Sequence, residues 1–193
     1  MPNLSAWFEK GLSKNEYIRA MEVHKDNLLN VYNHFELPDE EKKQLWELQD
    51  KGLKAVIITA DWCGDAMVNL PILMRIADEA LIETRYLIRD ENLELMDQYL
   101  TNGKSRSIPI VIFLNESNQE IGKWGPRAPE VQKLVEQIKN EKRIPEDKNA
   151  PGYEEAFKAF VKEMTTMFRE NQDIWGLIKE DLCTELNNAV EEN

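Results

Sequence analysis

The sequence predicts an α/β protein: a central mixed sheet flanked by helices, with helical extensions at both ends. Three observations predict it. Short runs of β-branched and apolar residues, Lys54–Ala60 and Pro109–Leu114, have the length and composition of buried strands. Between them the apolar residues return to a helical period at Met67, Leu70, Leu73, Met74 and Ala77. Before residue 50 and after residue 152, only the helical period is seen.

Each element has its own local reason. Ser13 and Glu16 have the spacing of a capping box, in which each side chain satisfies a free backbone N–H. Tyr17, Ile18, Met21, Leu28, Leu29, Val31 and Tyr32 follow at helical spacing, which predicts one helix through this stretch. Leu37-Pro38-Asp39 ends it and starts another, with Leu45, Trp46 and Leu48 as apolar positions and Lys51-Gly52 as the stop. After the strand at 54–60 and its helix, Thr84–Ile88 reads as a second strand and Leu93–Leu100 as a short helix. Pro109–Leu114 is a strong strand. Across the polar turn Asn115–Asn118, Glu120–Trp124 is its hairpin partner, and a helix follows from Pro129 to Lys142. Ile144–Gly152 carries two prolines and a glycine among charges and reads as a linker. Tyr153, Phe157, Phe160, Val161, Met164, Met167 and Phe168 then form an amphipathic stripe; a further piece from Asp173 carries Trp175, Ile178, Leu182 and Leu186. The predicted division is a helical extension at 1–38, an α/β domain at 39–142, a linker at 143–152 and a helical extension at 153–193.

Composition excludes several function classes. The chain has 193 residues and a mass of 22.5 kDa, enough to bury a core. Acidic residues outnumber basic ones by 36 to 24, for a formal charge of -12. Such a surface repels phosphate backbones and anionic lipids, so neither nucleic acid nor a membrane is expected as a partner. No apolar run approaches the roughly 20 residues that span a bilayer. The first residues, MPNLSAWFEKGLSKNEY, lack the basic start and apolar stretch of a secretory signal. Two cysteines are no disulfide framework, so a reduced, cytoplasmic protein is expected. His24 and His34, ten apart, do not share a helical face, and no metal site is expected. No phosphate loop or dinucleotide fingerprint is present, and no cofactor is expected.

The chemistry gathers at one place. Parallel strands joined by a helix make a right-handed crossover, and ligands collect at the carboxyl ends of such strands. There stands Asp61-Trp62-Cys63-Gly64-Asp65-Ala66. The first turn of a helix offers free N–H groups and a positive dipole end, and both favour a thiolate on Cys63. Gly64 permits a tight bend and a partner's close approach, while Asp61 and Asp65, flanking the sulfur, oppose ionisation. The second cysteine, Cys183, borders the Leu182/Leu186 stripe and reads as a small buried apolar residue. Its functional alternative is a resolving thiol, if the tail folds back over Cys63. The tail must bury its stripe against the domain or in a homodimer.

Trp62-Cys63-Gly64-Asp65-Ala66 at a strand-to-helix junction, Pro71 in the following helix, Arg106-Ser107-Ile108-Pro109 before a strand and a hairpin ending Trp124-Gly125-Pro126 together resemble the thioredoxin superfamily over roughly residues 40–142. The likeness is to a bacterial branch with a W-C-G-D motif and helical extensions. It implies a thioredoxin-like fold, with Trp62 a partly exposed wall of the site. It also implies a cis Pro109, with the Ile108 backbone pairing with a bound peptide or thiol as a short strand. Gly125 would lie in the loop beside the site. Arg127 would either face the groove and hold a carboxylate or be a solvent-exposed charge at a helix start.

The departures matter as much. Ala66 replaces the second motif cysteine, Ile57 a buried acid, and Tyr86 the lysine that pairs with it. The resemblance therefore implies a single-thiol oxidoreductase. Cys63 attacks a mixed disulfide on a protein or small molecule, and an external low-molecular-weight thiol, or Cys183, releases it. An engineered alanine at 66 would look the same at that position, but the loss of both helpers favours a natural single-thiol site. The alternatives are a binding or adaptor module with its groove beside Pro109, and a redox sensor in which Cys63 forms a sulfenic acid.

Overall fold

The computed structural model describes residues 2–193. Its centre is a four-stranded sheet in the order β2-β1-β3-β4, built from β1 (Lys54–Thr59), β2 (Glu83–Ile88), β3 (Ile110–Leu114) and β4 (Glu120–Trp124). β1 and β2 run parallel, joined by the long helix α5 (Gly64–Ala80); β3 pairs antiparallel with both β1 and β4. The two continuous apolar strands, β1 and β3, take the centre, where both faces are covered. This is the thioredoxin-like arrangement.

The N-terminal arm contains α1 (Ser5–Lys10), α2 (Lys14–Ala20), α3 (Lys25–His34) and α4 (Asp39–Trp46). The capping box at Ser13 and Glu16 forms as its spacing predicts. The single helix predicted from Tyr17 to Tyr32 does not form. It breaks between α2 and α3, where Met21 is extended and His24 takes a left-handed conformation. The cause is tertiary: the backbone N–H groups of Glu22 and Val23 donate to the Asp61 carboxylate at 2.8 and 3.0 Å, bonds a continuous helix could not make. The arm also touches both margins of the sheet. Leu12 exchanges two backbone hydrogen bonds with Tyr86 on the outer edge of β2. Pro2 and Leu4 bond to Glu120 and Asn118 at the β3–β4 hairpin. An open strand edge is thereby covered.

Beyond β2 come a 3-10 turn at Arg89–Glu91 and α6 (Leu93–Met96), shorter than the helix predicted to Leu100. α7 (Pro129–Glu141) follows β4, and 143–152 holds turns and bends. The tail is two long helices, α8 (Tyr153–Glu170) and α9 (Gln172–Glu191). α9 lies against β4 so closely that a Cβ on Gly122 would stand 2.6 Å from the Ala189 Cβ. The Trp124 indole N–H donates to Asp181 at 2.6 Å, and Lys179 pairs with Glu41 of α4 at 2.6 Å. Trp175, Ile178, Leu182 and Leu186 are all buried, so α9 covers its stripe within the chain; α8 leaves Phe157 and Val161 exposed. One hydrophobic cluster runs from Leu4 in the arm through the sheet to Leu186 in the tail. Among the described residues, no helix is long and apolar enough to cross a membrane.

Candidate functional site

β1 ends at Thr59 and α5 begins at Gly64, which leaves Cys63 as the helix N-cap. The Sγ accepts the Ala66 backbone N–H at 3.4 Å, so one of the helix's free donors points at the sulfur. The Cys63 thiol donates to the Ile108 carbonyl, also at 3.4 Å. Ile108 precedes a cis Pro109, and a second cis peptide, Gly125–Pro126, lies behind it. The two loops interlock: Gly125 has φ +117°, and a Cβ there would meet the Pro109 carbonyl oxygen at 2.3 Å. Only glycine fits that approach.

Cys63 opens on a cavity of about 830 Å³. Of the predicted site residues, Trp62, Cys63, Asp65, Ile108 and Arg127 line it, whereas Gly64, Pro109 and Gly125 are not in its wall. Gly64 departs from expectation in one respect. Its backbone is helical with no positive φ, so it makes no tight bend; a Cβ there would meet nothing within 4 Å, so its role is open space over the helix start. Trp62 is 48% exposed and forms an outer wall, with the Arg89 guanidinium 4.7 Å from its ring centroid.

The two flanking acids part company. Asp61 turns away from the sulfur to the N-terminal arm, where, against the effect of burial, the N–H groups of Val23 and Glu22 hold its carboxyl below the usual range. Asp65 grips Arg127 in a bidentate pair at 2.7 and 2.6 Å, both side chains about one-fifth exposed. Arg127 is therefore no solvated charge; it joins the loop after β4 to the start of α5 and also donates to Gln132. Asn69, fully buried on the same helix, steadies that loop by donating to the Pro126 carbonyl at 3.1 Å.

The expectation that the helix start favours a thiolate is outweighed. Burial, with Cys63 only 8% exposed, pushes its thiol up to about 11; the Asp65 charge adds to this, and the Ala66 N–H and Arg127 act against it. A thiol with that value is almost wholly protonated near neutral pH. Replacing Asp65 with Asn removes a charge that opposes ionisation, so the Cys63 alkylation midpoint is expected to fall. A fall of one unit gives about tenfold faster alkylation at pH 7. An unchanged midpoint would show that the Asp65 charge has no part in setting it.

Cys183 is not brought to Cys63. Both are free thiols, and Cys183 lines a separate cavity between α4 and α9, beside Glu41 and Lys179. Burial, then the Glu41 charge, pushes its thiol up to about 11 as well.

A family model described as Thioredoxin matches residues 11–140. The chain belongs to the thioredoxin family. Two solved structures share the fold of this thioredoxin-family chain. One is the crystal structure of a Pseudomonas aeruginosa protein of unknown function, at 16% identity and a TM-score of 0.61, covering 93% of this chain and 99% of that one. The other is that of an HIV epitope scaffold, at 13% identity and a TM-score of 0.57, with the same coverage. No curated protein matches the chain.

The thioredoxin-like sheet here carries an apolar floor. Ile57 and Tyr86 stand directly opposite each other in β1 and β2, both fully buried. Tyr17 from the arm stacks on Tyr86 with centroids 4.9 Å apart, and its hydroxyl meets Thr59 at 3.2 Å. Sequence reasoning missed Arg89, Ser105 and Gln132 in the cavity wall, and Asn69 behind it. None carries a local signal, since each is recruited from a different element. Arg106 and Ser107 were visible only as part of the loop before Pro109.

Proposed function

We propose that the chain is a single-thiol thiol–disulfide exchange protein with Cys63 as the attacking thiol. One observation carries the reading: the Cys63 sulfur lies between the Ala66 N–H and the Ile108 carbonyl at the edge of a cavity large enough for a small molecule. In the first step Cys63–SH and R–S–S–R′ give Cys63–S–S–R and R′–SH; the thiol proton ends on the leaving sulfur. With Ala66 where a second thiol would resolve the adduct, an external low-molecular-weight thiol R″–SH attacks it, restoring Cys63–SH and leaving R–S–S–R″. A reducing compartment suits this cycle, because the second thiol must be at hand.

A second reading is favoured by the raised pKa of about 11. A sulfur that rarely ionises suits a binding module, with the groove beside Ile108 holding a peptide without turnover.

The two readings separate in a Cys183→Ser protein. Alkylation of Cys63 is expected to accelerate about tenfold per pH unit until the midpoint near 11. Incubation with a mixed disulfide is expected to give a mass adduct at Cys63 that an added monothiol removes. If the folded protein forms no adduct while the denatured chain does, exchange fails and the binding module stands.

A further inference from the structure

We infer that the small thiol handled at this site is zwitterionic, of the amino-acid type, carrying a carboxylate and an ammonium group; the inference rests on the exchange reading above. Arg89, Arg106 and Arg127 enter the cavity from three places: the turn after β2, the loop before β3 and the loop after β4. No lysine lines it. Guanidinium groups present a planar fork that receives carboxylates in pairs of hydrogen bonds. In a chain of net charge -12, three of them in one cavity run against the composition. They are not free charges. Arg127 is gripped by Asp65, Arg106 makes paired bonds to Asp97 at 2.7 and 2.9 Å, and Arg89 bonds to Asp90. Glu136 also lines the cavity.

The partly buried pair decides the ligand's charge pattern. Asp65 and Arg127 are each about one-fifth exposed, so a ligand that takes one of them leaves the other partly desolvated and without its partner. An anionic thiol that took Arg127 would orphan Asp65. A cationic one that took Asp65 would orphan Arg127. A zwitterion exchanges partners instead: its carboxylate takes the Arg127 fork, its ammonium group takes Asp65, and every charge stays paired. A volume of about 830 Å³ holds a disulfide of this size, and the Ser105–Ser107 hydroxyl pair adds neutral hydrogen-bonding groups to the wall.

The test is single-turnover thiolation of Cys63 in the Cys183→Ser protein, followed by intact mass. Four symmetrical disulfides serve as probes: cystine (zwitterionic), dithiodipropionate (anionic), cystamine (cationic) and hydroxyethyl disulfide (neutral). Each rate is divided by that of a free monothiol with the same probe, which cancels the intrinsic reactivity of the disulfide. Cystine is expected to exceed the other three by about tenfold. Arg127→Gln is expected to remove that advantage. Arg106→Gln, at a half-exposed side chain that lines the same cavity outside that pair, is expected to reduce it several-fold. Normalised rates within about twofold of one another, or the anionic probe fastest, overturn the inference and leave exchange standing. No adduct with any probe overturns the exchange reading itself.

Discussion

A chain ending at Gly152 is expected to lose its cooperative thermal transition altogether. The cut removes α8 and α9, and with them Phe168, Ile174, Trp175, Ile178, Leu182 and Leu186, all buried. Each such side chain contributes about 1.5–3 kcal/mol when buried. Together they match or exceed the roughly 5–15 kcal/mol by which a whole domain is stable. The loss extends beyond the tail. α9 lies on β4, takes the Trp124 indole N–H on Asp181 and ties Lys179 to Glu41 in the N-terminal arm. Without it, β4 loses its cover and the hairpin that leads to Arg127 is left half-solvated. The measurement is circular dichroism against temperature, with amide hydrogen exchange over β3 and β4. A sharp transition within a few degrees of the full chain would mean that the α/β unit is self-sufficient and the tail an appendage.

Gly125→Ala is expected to cost about 3 kcal/mol or more, lowering Tm by roughly 10 °C for a chain of this size. Two effects act together. The backbone sits at φ +117°, where side chains rarely go, and the added Cβ would stand 2.3 Å from the Pro109 carbonyl oxygen, a backbone atom with no rotamer to yield. Gly103→Ala is the control: its φ is +68°, but nothing lies within 4 Å of the added Cβ, so about 1 kcal/mol is expected. The same substitution reads out at the sulfur. Moving Pro109 moves the Ile108 carbonyl away from Cys63, and burial is the largest influence holding that thiol at about 11. Gly125→Ala is therefore expected to lower the alkylation midpoint, whereas Gly103→Ala leaves it in place. Equal effects of both on Tm and midpoint would break the link between the two loops.

Much of this architecture was legible in the chain. The strands at 54 and 110 are set by runs of β-branched and apolar residues, the strand at 120 by the polar turn before it, and the capping box at Ser13 by a local spacing. Cys63 at a strand-to-helix junction follows from a change of period at one point in the sequence. The break between α2 and α3 was not legible. Its apolar period continues unbroken, and the interruption comes from an aspartate 38 and 39 residues away that takes two backbone N–H groups. The two acids beside the cysteine look equivalent on paper. In space one serves the arm and the other an arginine 62 residues on.

By itself, then, the sequence determined the order of the strands and of the helices between and after them, a lone thiol at a helix start and the missing second cysteine. These are local properties, written in periodicity and residue identity within a few positions. Only the tertiary structure decided how that thiol is tuned and what surrounds it: its burial under Ile108, the Asp65–Arg127 pair, the arginines gathered from three loops and the separation of Cys183 from Cys63. Burial and ion pairing depend on which distant segments the fold lays side by side. No window of the chain contains that information until the sheet is assembled and both arms have closed over it.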